Sequence, residues 1–199
     1  MNRRRLVDIE LYEQLEYIYS TTGAYIVTDI KPLIGSDKLE IKFQNRTAQT
    51  SKGKIMCGTN WSTGSNIFAV LDSGSLSRFS LRCGTSWCTN GMKGNYNAHV
   101  AIMDTKNHIY KFDNSSCTVS QTDVQLNGKL CICSYGEPAA SDWSQFMYDG
   151  KIFYLKYWRD GVQIADFVPA RRKSDGVIGM VDLMSGGFYQ SPTGTFIGG

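Results

Sequence analysis

The clearest pattern of apolar and polar positions lies in the last quarter of the chain, residues 149–199. Residues 152–159 and 162–168 are rich in β-branched and aromatic side chains, and only Asp160-Gly161 separates them. Asp-Gly between two such segments favours a type I′ turn, because both central positions need a positive φ and the twist of that turn suits the flanking strands. The pattern therefore predicts a β-hairpin whose second strand ends before Pro169.

Short apolar segments between glycine-rich turns continue through the rest of the chain. Residues 39–44 alternate almost strictly, which predicts a strand with one face on a core and the other in water or in a ligand groove. Further segments of this kind cover residues 15–30 (as two strands), 55–61, 67–72, 76–83, 96–103, 109–113, 130–134 and 177–183. Residues 84–95 and 136–144 are predicted to be loops. Many short strands without a long helical pattern are typical of an all-β sandwich or barrel.

The length of 199 residues allows one sizeable core, and all-β sandwiches of this length are usually single domains. We therefore expect one domain over residues 15–199, after a lead-in of residues 1–14 that fits either a short strand or one to two helical turns. The net charge of +3 is too small to indicate a nucleic-acid-binding protein, which would carry a basic stripe and a more alkaline pI.

No apolar segment approaches the ~18–20 residues that a membrane helix requires, so we expect no membrane insertion. The first residues are basic but lack an apolar h-region, which predicts synthesis in a cytoplasm without a classical secretory signal. Cysteines in such a chain are expected to be buried, reduced thiols. The six cysteines are Cys57, Cys83, Cys88, Cys117, Cys131 and Cys133. With two histidines and no paired Cys-x-x-Cys motifs, we predict no structural zinc, no other metal and no cofactor.

Both ends of the predicted domain resemble one known family. Residues 15–32 read LEYIYSTTGAYIVTDIKP, with a Glu-Tyr-Ile, a Ser-Thr-Gly turn, a Tyr-Ile and a Lys-Pro. Near the C-terminus, the segments that carry the resemblance are residues 150–152, 166–172, 176–180 and 194–196. Together with residues 15–32, they resemble the two ends of the concanavalin A-like, LamG-type jelly-roll domains that are common in bacteriophage and gut-bacterial proteins. The chain departs from the family at three places. Gly23 lies one position later in its turn than is usual, and Val27 stands where a polar residue is common. The loop of residues 84–95 has no counterpart in the family pattern.

The resemblance implies a two-sheet antiparallel jelly-roll β-sandwich in which the N-terminal and C-terminal strands lie side by side. The local patterns described above indicate the same all-β class. The resemblance also implies a context, because small standalone copies of this family look like phage virion parts or surface adhesins, often without a catalytic role.

Acidic residues suited to catalysis are not arranged as hydrolases of this fold require. Laminarinase-like glucanases place carboxylates ~5 Å apart at alternate positions of one strand, as in Glu-x-Asp-x-x-Glu. The nearest string, residues 8–13, has its acids in the wrong order and precedes the predicted domain. Neither His99 nor His108 has a Gly-x-Ser-x-Gly or Cys-His signature near it. We predict no catalytic residues and no enzyme activity.

Exposed aromatic residues in loops suggest recognition instead. Sugars stack their C–H faces on such rings while amide and carboxylate groups bind the hydroxyls. The predicted glycan contacts are Trp87, Asn90, Asn95, Asp142, Trp143 and Gln145. An alternative for Trp87 and Trp143 is that they pin their loops to the sandwich, and for Trp61 and Trp158 we favour that structural role.

We therefore expect a non-enzymatic bacteriophage virion component, used in capsid decoration, a fibre or a tail, that acts as an assembly or glycan-adhesion module. Its expected partners are other virion proteins, host surface glycans and further copies of itself, with no specific nucleic acid. It would be made in the host cytoplasm and reside in the virion. The alternative is a free carbohydrate-binding lectin of a gut bacterium, located in the cytoplasm or at the surface by a non-classical route. A glucanase-like glycoside hydrolase is a third hypothesis.

Overall fold

A computed structural model of the chain describes residues 8, 10–20, 23–46, 54–59, 67–72, 79–84, 86–88, 95–120, 123–134 and 147–199, with only the backbone of residues 67, 68, 71, 72, 84 and 87. These residues form antiparallel β-sheets and contain no helix. In this part of the chain there is accordingly no helix with the length and hydropathy needed to cross a membrane. The all-β prediction is confirmed.

The first sheet has eleven strands and includes both ends of the described chain. Its strands are β1 (Tyr12–Gln14), β2 (Ile18–Ser20), β5 (Asp37–Gln44), β10 (Ala98–Asp104), β11 (Ile109–Phe112), β12 (Ser115–Thr118), β15 (Lys151–Arg159), β16 (Val162–Arg172), β17 (Ile178–Asp182), β18 (Phe188–Tyr189) and β19 (Phe196–Gly198). Strand β5 lies between β10 and β15 at the centre. Strand β2 pairs with β19, so the N-terminal and C-terminal strands are neighbours, as the family resemblance implied.

The second sheet has six strands in the order β3-β14-β6-β7-β8-β9. Its strands are β3 (Ile26–Val27), β6 (Ile55–Thr59), β7 (Ile67–Asp72), β8 (Phe79–Gly84), β9 (Ser86–Cys88) and β14 (Leu130–Ile132). A separate pair joins β4 (Leu33–Ile34) to β13 (Val124–Gln125).

The core lies between the two large sheets because one face of each is apolar. Along β5, buried and half-buried residues alternate without exception, as the sequence predicted. Phe43 of β5 meets Phe79 of β8 edge-on at 5.1 Å between ring centroids, and Phe79 stacks on Phe112 at 4.7 Å. Aromatic pairs at these distances add to the stability that burial alone provides.

The hairpin of β15 and β16 is confirmed, with positive φ values at Asp160 (50°) and Gly161 (82°). Its second strand is longer than predicted, because β16 runs through Pro169 to Arg172. Proline lacks a backbone donor, but Pro169 lies where β16 changes partner, after its pairing with β15 ends at Phe167 and before its pairing with β1 begins at Ala170. The missing donor is therefore not needed there.

Two sequence-based expectations need correction at the edge of the sandwich. Residues 84–95 were predicted to be a loop, yet Ser86–Cys88 form the edge strand β9. Cys88 is bonded to Cys117 of β12, so two of the six cysteines are not free thiols. Both errors have the same cause, because the contacts that define β9 are not local in sequence. The strand is held by its pairing with β8 and by a bond to a residue 29 positions away. The other four cysteines are buried thiols outside this disulfide, as expected.

Gly179 of β17 offers a test of how closely the strands of the first sheet pack. A Cβ atom there would overlap the backbone carbonyl oxygen of Tyr189 on β18. We expect Gly179→Ala to lower the free energy of unfolding by about 1–3 kcal/mol in urea denaturation, because backbone has to move. Gly187→Ala is the control: its added Cβ meets only side-chain atoms of Tyr189 and Ser185, at 3.2 and 3.3 Å. Equal losses in the two variants would contradict this account.

Candidate functional site

Most of the predicted glycan contacts lie outside the described residues, namely Asn90, Asp142, Trp143 and Gln145, and Trp61 does as well. Trp87 is placed by its backbone in β9. Asn95 is exposed, but its Oδ1 accepts a hydrogen bond from the Asn97 N–H (2.7 Å) and lies 2.9 Å from Nε2 of His99. Asn95 thus helps to hold the chain where it enters β10, and its role as a glycan contact stays a prediction.

The outer face of the first sheet carries a set of aromatic rings, each with a cationic group over it. We name this surface the cation–aromatic face. Its five pairs, with the distance from Nζ or Cζ to the ring centroid, are Lys38 over Trp158 (4.8 Å), Lys42 over Phe153 (5.0 Å), Arg46 over Tyr19 (3.7 Å), Lys151 over Tyr17 (3.7 Å) and Lys156 over Tyr154 (4.9 Å).

Strand periodicity accounts for most of this arrangement. In β5 and β15 alternate side chains point outward, so Lys42 lies opposite Tyr154 and Lys38 lies opposite Trp158 on neighbouring strands. Phe153 is an additional outward residue. The pairing of β15 with β5 shifts between Ile152 and Tyr154, so Phe153 is a bulge residue without a partner on β5.

One end of the cation–aromatic face is its most compact part. Tyr17 stacks near Tyr19, with centroids 6.3 Å apart, and meets Phe153 edge-on at 6.0 Å. The cations over these three rings are Lys151, Arg46 and Lys42. We name these six residues the three-cation end.

Carboxylates occupy the middle of the same face. Glu40, Lys156 and Asp166 lie side by side on β5, β15 and β16. The Tyr154 hydroxyl donates a hydrogen bond to Glu40 Oε1 at 2.9 Å. Burial and this contact with Glu40 both raise the pKa of Tyr154, so its hydroxyl remains a donor over the whole range in which proteins are handled. The face thus offers rings, cations and hydrogen-bond acceptors within a few strands.

The acidic string that was weighed as a catalytic motif has structural roles. Asp8 Oδ1 accepts a hydrogen bond from the Glu10 N–H at 3.1 Å, as expected of a turn. Glu13 on β1 forms an ion pair with Arg171 of β16 at 2.7 Å. Within the described ranges, no group of three or more His, Cys, Asp or Glu residues is placed to hold a metal ion.

A pocket of about 280 Å³ lies at the far end of the first sheet, between the turn that follows β16 and residues 190–196. Asp175 lines it, but this carboxylate is held by Arg172, whose Nη2 lies 2.6 Å from Oδ2 and whose Nε lies 3.0 Å from Oδ1. This hydrogen-bonded pair lowers the pKa of Asp175 and raises that of Arg172. Because the carboxylate is engaged by the chain's own guanidinium, we assign no ligand to the pocket.

The cation–aromatic face was not predicted, because its rings lie on strands and not in loops. The sequence carries a signal for it in residues 151–158, KIFYLKYW, where lysine and aromatic residues share the outward positions of one strand. The polar face of residues 39–44, predicted to meet water or a ligand, forms the neighbouring part of the same surface. The two segments are more than a hundred residues apart, and only their pairing as β5 and β15 brings them together.

Comparisons with known proteins bear on the fold. No family model matches the chain, and no curated protein matches it. Among solved structures, the chain is similar to a native heptameric SAP-like pentraxin from Limulus polyphemus, with a TM-score of 0.56 and 10% sequence identity over 98% of this chain and 97% of that one. The narrower assignment to LamG-type domains of phage stays a prediction. The shared fold is the two-sheet, concanavalin A-like jelly roll.

Proposed function

We propose that this chain is a non-enzymatic, glycan-binding adhesion module whose ligand lies on the cation–aromatic face. The observation that carries the proposal is the set of five rings and five cations on one outer sheet face. The jelly-roll fold supports it by providing an eleven-stranded sheet on which an extended ligand can lie across several strands.

The chemistry of the face suits a carbohydrate. The C–H groups of a pyranose ring pack on aromatic rings, and a few polar groups then fix its orientation. Trp158 and Tyr154 provide rings on alternate outward positions of β15. Glu40, on the neighbouring strand β5, provides a half-buried carboxylate that accepts hydrogen bonds from sugar hydroxyls, whereas Asp166 on β16 is buried. Rigid strands hold all of these groups, so little ordering is needed on binding.

Removing rings from this face should abolish glycan binding. We expect the double variant Tyr19→Ala/Trp158→Ala to lose binding on a glycan array, with affinity reduced at least about tenfold for each ring removed. The matched control is Phe188→Ala, because Phe188 also lies under a cation (Arg172, 4.8 Å) but belongs to β18, at the edge of the sheet and three strands away from β15. Binding that survives in the double variant, or that is lost equally in the control, would refute this site.

Trp87, on β9, and Trp143 remain predicted glycan contacts, and the same array tests them. As contacts, they predict that Trp87→Ala and Trp143→Ala each reduce binding. Wild-type binding by both variants would remove these two residues from the proposed site and leave the sheet face as its whole extent.

We further propose that the module works in a bacteriophage virion, as a capsid decoration, fibre or tail part that contacts other virion proteins. The Cys88–Cys117 bond supports a location outside the reducing cytoplasm, since disulfides persist on virion and cell surfaces. The structurally similar pentraxin is a heptamer, so self-assembly of this chain should be tested by light scattering.

Mass spectrometry of purified virions should detect the chain. Its absence from virions, together with its presence on a bacterial surface, would favour the free lectin.

A further inference from the structure

We propose that the glycan bound by the cation–aromatic face is acidic, and that its sulfate, phosphate or carboxylate group binds at the three-cation end. This inference rests on the proposed function, because it assigns the ligand class of the same site. The three-cation end consists of Lys42, Arg46 and Lys151 over their three rings.

The charges of the three-cation end are not offset by a carboxylate in the part of the chain that the structure describes, where none of Lys42, Arg46 and Lys151 forms an ion pair within 4.0 Å. Elsewhere in the described residues, ion pairs with a carboxylate are formed by Lys106, Lys129, Arg159, Arg171 and Arg172. Cations that share one end of a sheet face, and that form no such pair there, attract an anionic group.

The charges of the face are separated along the strands. Glu40 and Asp166 flank Lys156 in the middle, and Asp104 lies opposite Lys38 at the other end. Lys42 and Lys38 are four residues apart on β5, or about 13 Å. A bound glycan would therefore place its acid at the three-cation end, and its hydroxyls would meet the carboxylates further along the face.

The pairing of cation and ring explains how the acid and the sugar ring would be bound together. Cation–π contacts at exposed positions are weak, whereas hydrogen bonds between charged groups are roughly twice as strong as neutral ones. An arriving sulfate, phosphate or carboxylate draws the ammonium and guanidinium groups off the rings. The uncovered faces of Tyr17, Tyr19 and Phe153 then become available to the C–H groups of the sugar.

A single-stranded nucleic acid is the other polymer that suits such a surface, because its bases stack on aromatic rings and its phosphates bind to cations. Two observations favour the glycan. The net charge of +3 and the pI of about 8.5 are low for a nucleic-acid-binding protein. The half-buried Glu40 carboxylate would repel the phosphates of a nucleic acid, whereas a glycan provides hydroxyls for it.

The test uses pairs of polymers that differ only in charge: dextran sulfate with dextran, and polygalacturonate with its methyl ester. Isothermal titration calorimetry should show at least about tenfold tighter binding of the charged member, with affinity that falls as salt rises. The variant Lys42→Gln/Arg46→Gln/Lys151→Gln should lose this preference. The control Lys106→Gln/Lys129→Gln/Lys173→Gln removes the same charge elsewhere and should keep it. The conservative variant Lys42→Arg/Lys151→Arg should keep it too.

The outcomes separate this inference from the function on which it rests. Equal binding of charged and neutral polymers, or a charge preference retained by the first triple variant, overturns the acidic ligand but leaves glycan binding standing. No binding to either polymer pair or to any glycan on an array overturns both. Tighter binding of an oligo(dT) strand than of any polymer at the same salt concentration also overturns both.

Discussion

Asp37→Asn is expected to lower the free energy of unfolding by about 3–5 kcal/mol, because it removes the charge of a fully buried carboxylate and leaves hydrogen-bond donors around it without an acceptor. Asp37, at the start of β5, has no solvent exposure. Its carboxylate accepts hydrogen bonds from Arg159 Nε at 2.8 Å and Nη2 at 2.9 Å, from the Tyr157 hydroxyl at 2.7 Å and from the Leu33 N–H at 2.6 Å. An amide cannot accept all four bonds, and the guanidinium loses its counter-charge.

The Asp37 carboxylate also shifts the pKa values of Arg159 and Tyr157, which both contact it. The hydrogen bond to Asp37 raises the pKa of Arg159, and burial together with the Asp37 charge raises the pKa of Tyr157 well above its usual value. Both groups therefore remain proton donors to Asp37. The contact also holds the ends of the hairpin strands to β5, since Arg159 lies opposite Asp37 in the ladder.

An exposed ion pair of similar length gives the matched control. Glu13 and Arg171 are 2.7 Å apart, but the Glu13 side chain is 51% exposed, whereas that of Asp37 is 0% exposed. Glu13→Gln should change stability by at most about 1 kcal/mol. Urea denaturation of both variants measures the difference. Similar losses for Asp37→Asn and Glu13→Gln would show that burial is not what makes the Asp37 pair important.

Loss of the Cys88–Cys117 bond is expected to have the second largest effect. The bond joins β9, at the edge of the second sheet, to β12, at the edge of the first, and it closes a loop across 29 positions. Closing a loop of that length restricts the unfolded chain by about 3–4 kcal/mol. The variant Cys88→Ser/Cys117→Ser should therefore unfold at a correspondingly lower denaturant concentration.

A reducing agent provides the control within the same experiment. Dithiothreitol should destabilise the wild-type protein to the level of the double variant and should leave the variant unchanged. The remaining cysteines are free, and burial raises the pKa of Cys57 and of Cys83 to about 12, so neither reacts readily. A wild-type protein that is insensitive to dithiothreitol, with only free thiols on titration, would contradict the bond.

Local chemistry was enough to predict the features that depend on neighbours in sequence. Asp160-Gly161 specified its hairpin because few residue pairs tolerate positive φ at both positions. The alternation of residues 39–44 specified a strand with one buried face, and the structure shows that face packed on Phe79 of the other sheet. The all-β class followed from many such elements together, and the jelly roll was implied by the family resemblance.

Features that depend on distant partners could not be predicted in this way. Ser86–Cys88 has too little apolar character to indicate a strand, and only its neighbour β8 makes it one. The cation–aromatic face combines Tyr17, Arg46 and Lys151, from three separate parts of the chain. No periodicity within one segment shows that these side chains share a face. The order of strands in the sheet determines it.

The bulge at Phe153 has a consequence for how this surface can change over evolution. On either side of it, Ile152 and Leu155 point into the core and Tyr154 points outward. A chain without Phe153 would return to regular alternation, with the same residues inside and Tyr154 still outside. One ring can thus be gained or lost at this position without altering which side chains pack between the sheets. Ligand preference and folding stability can therefore diverge independently among descendants of this chain.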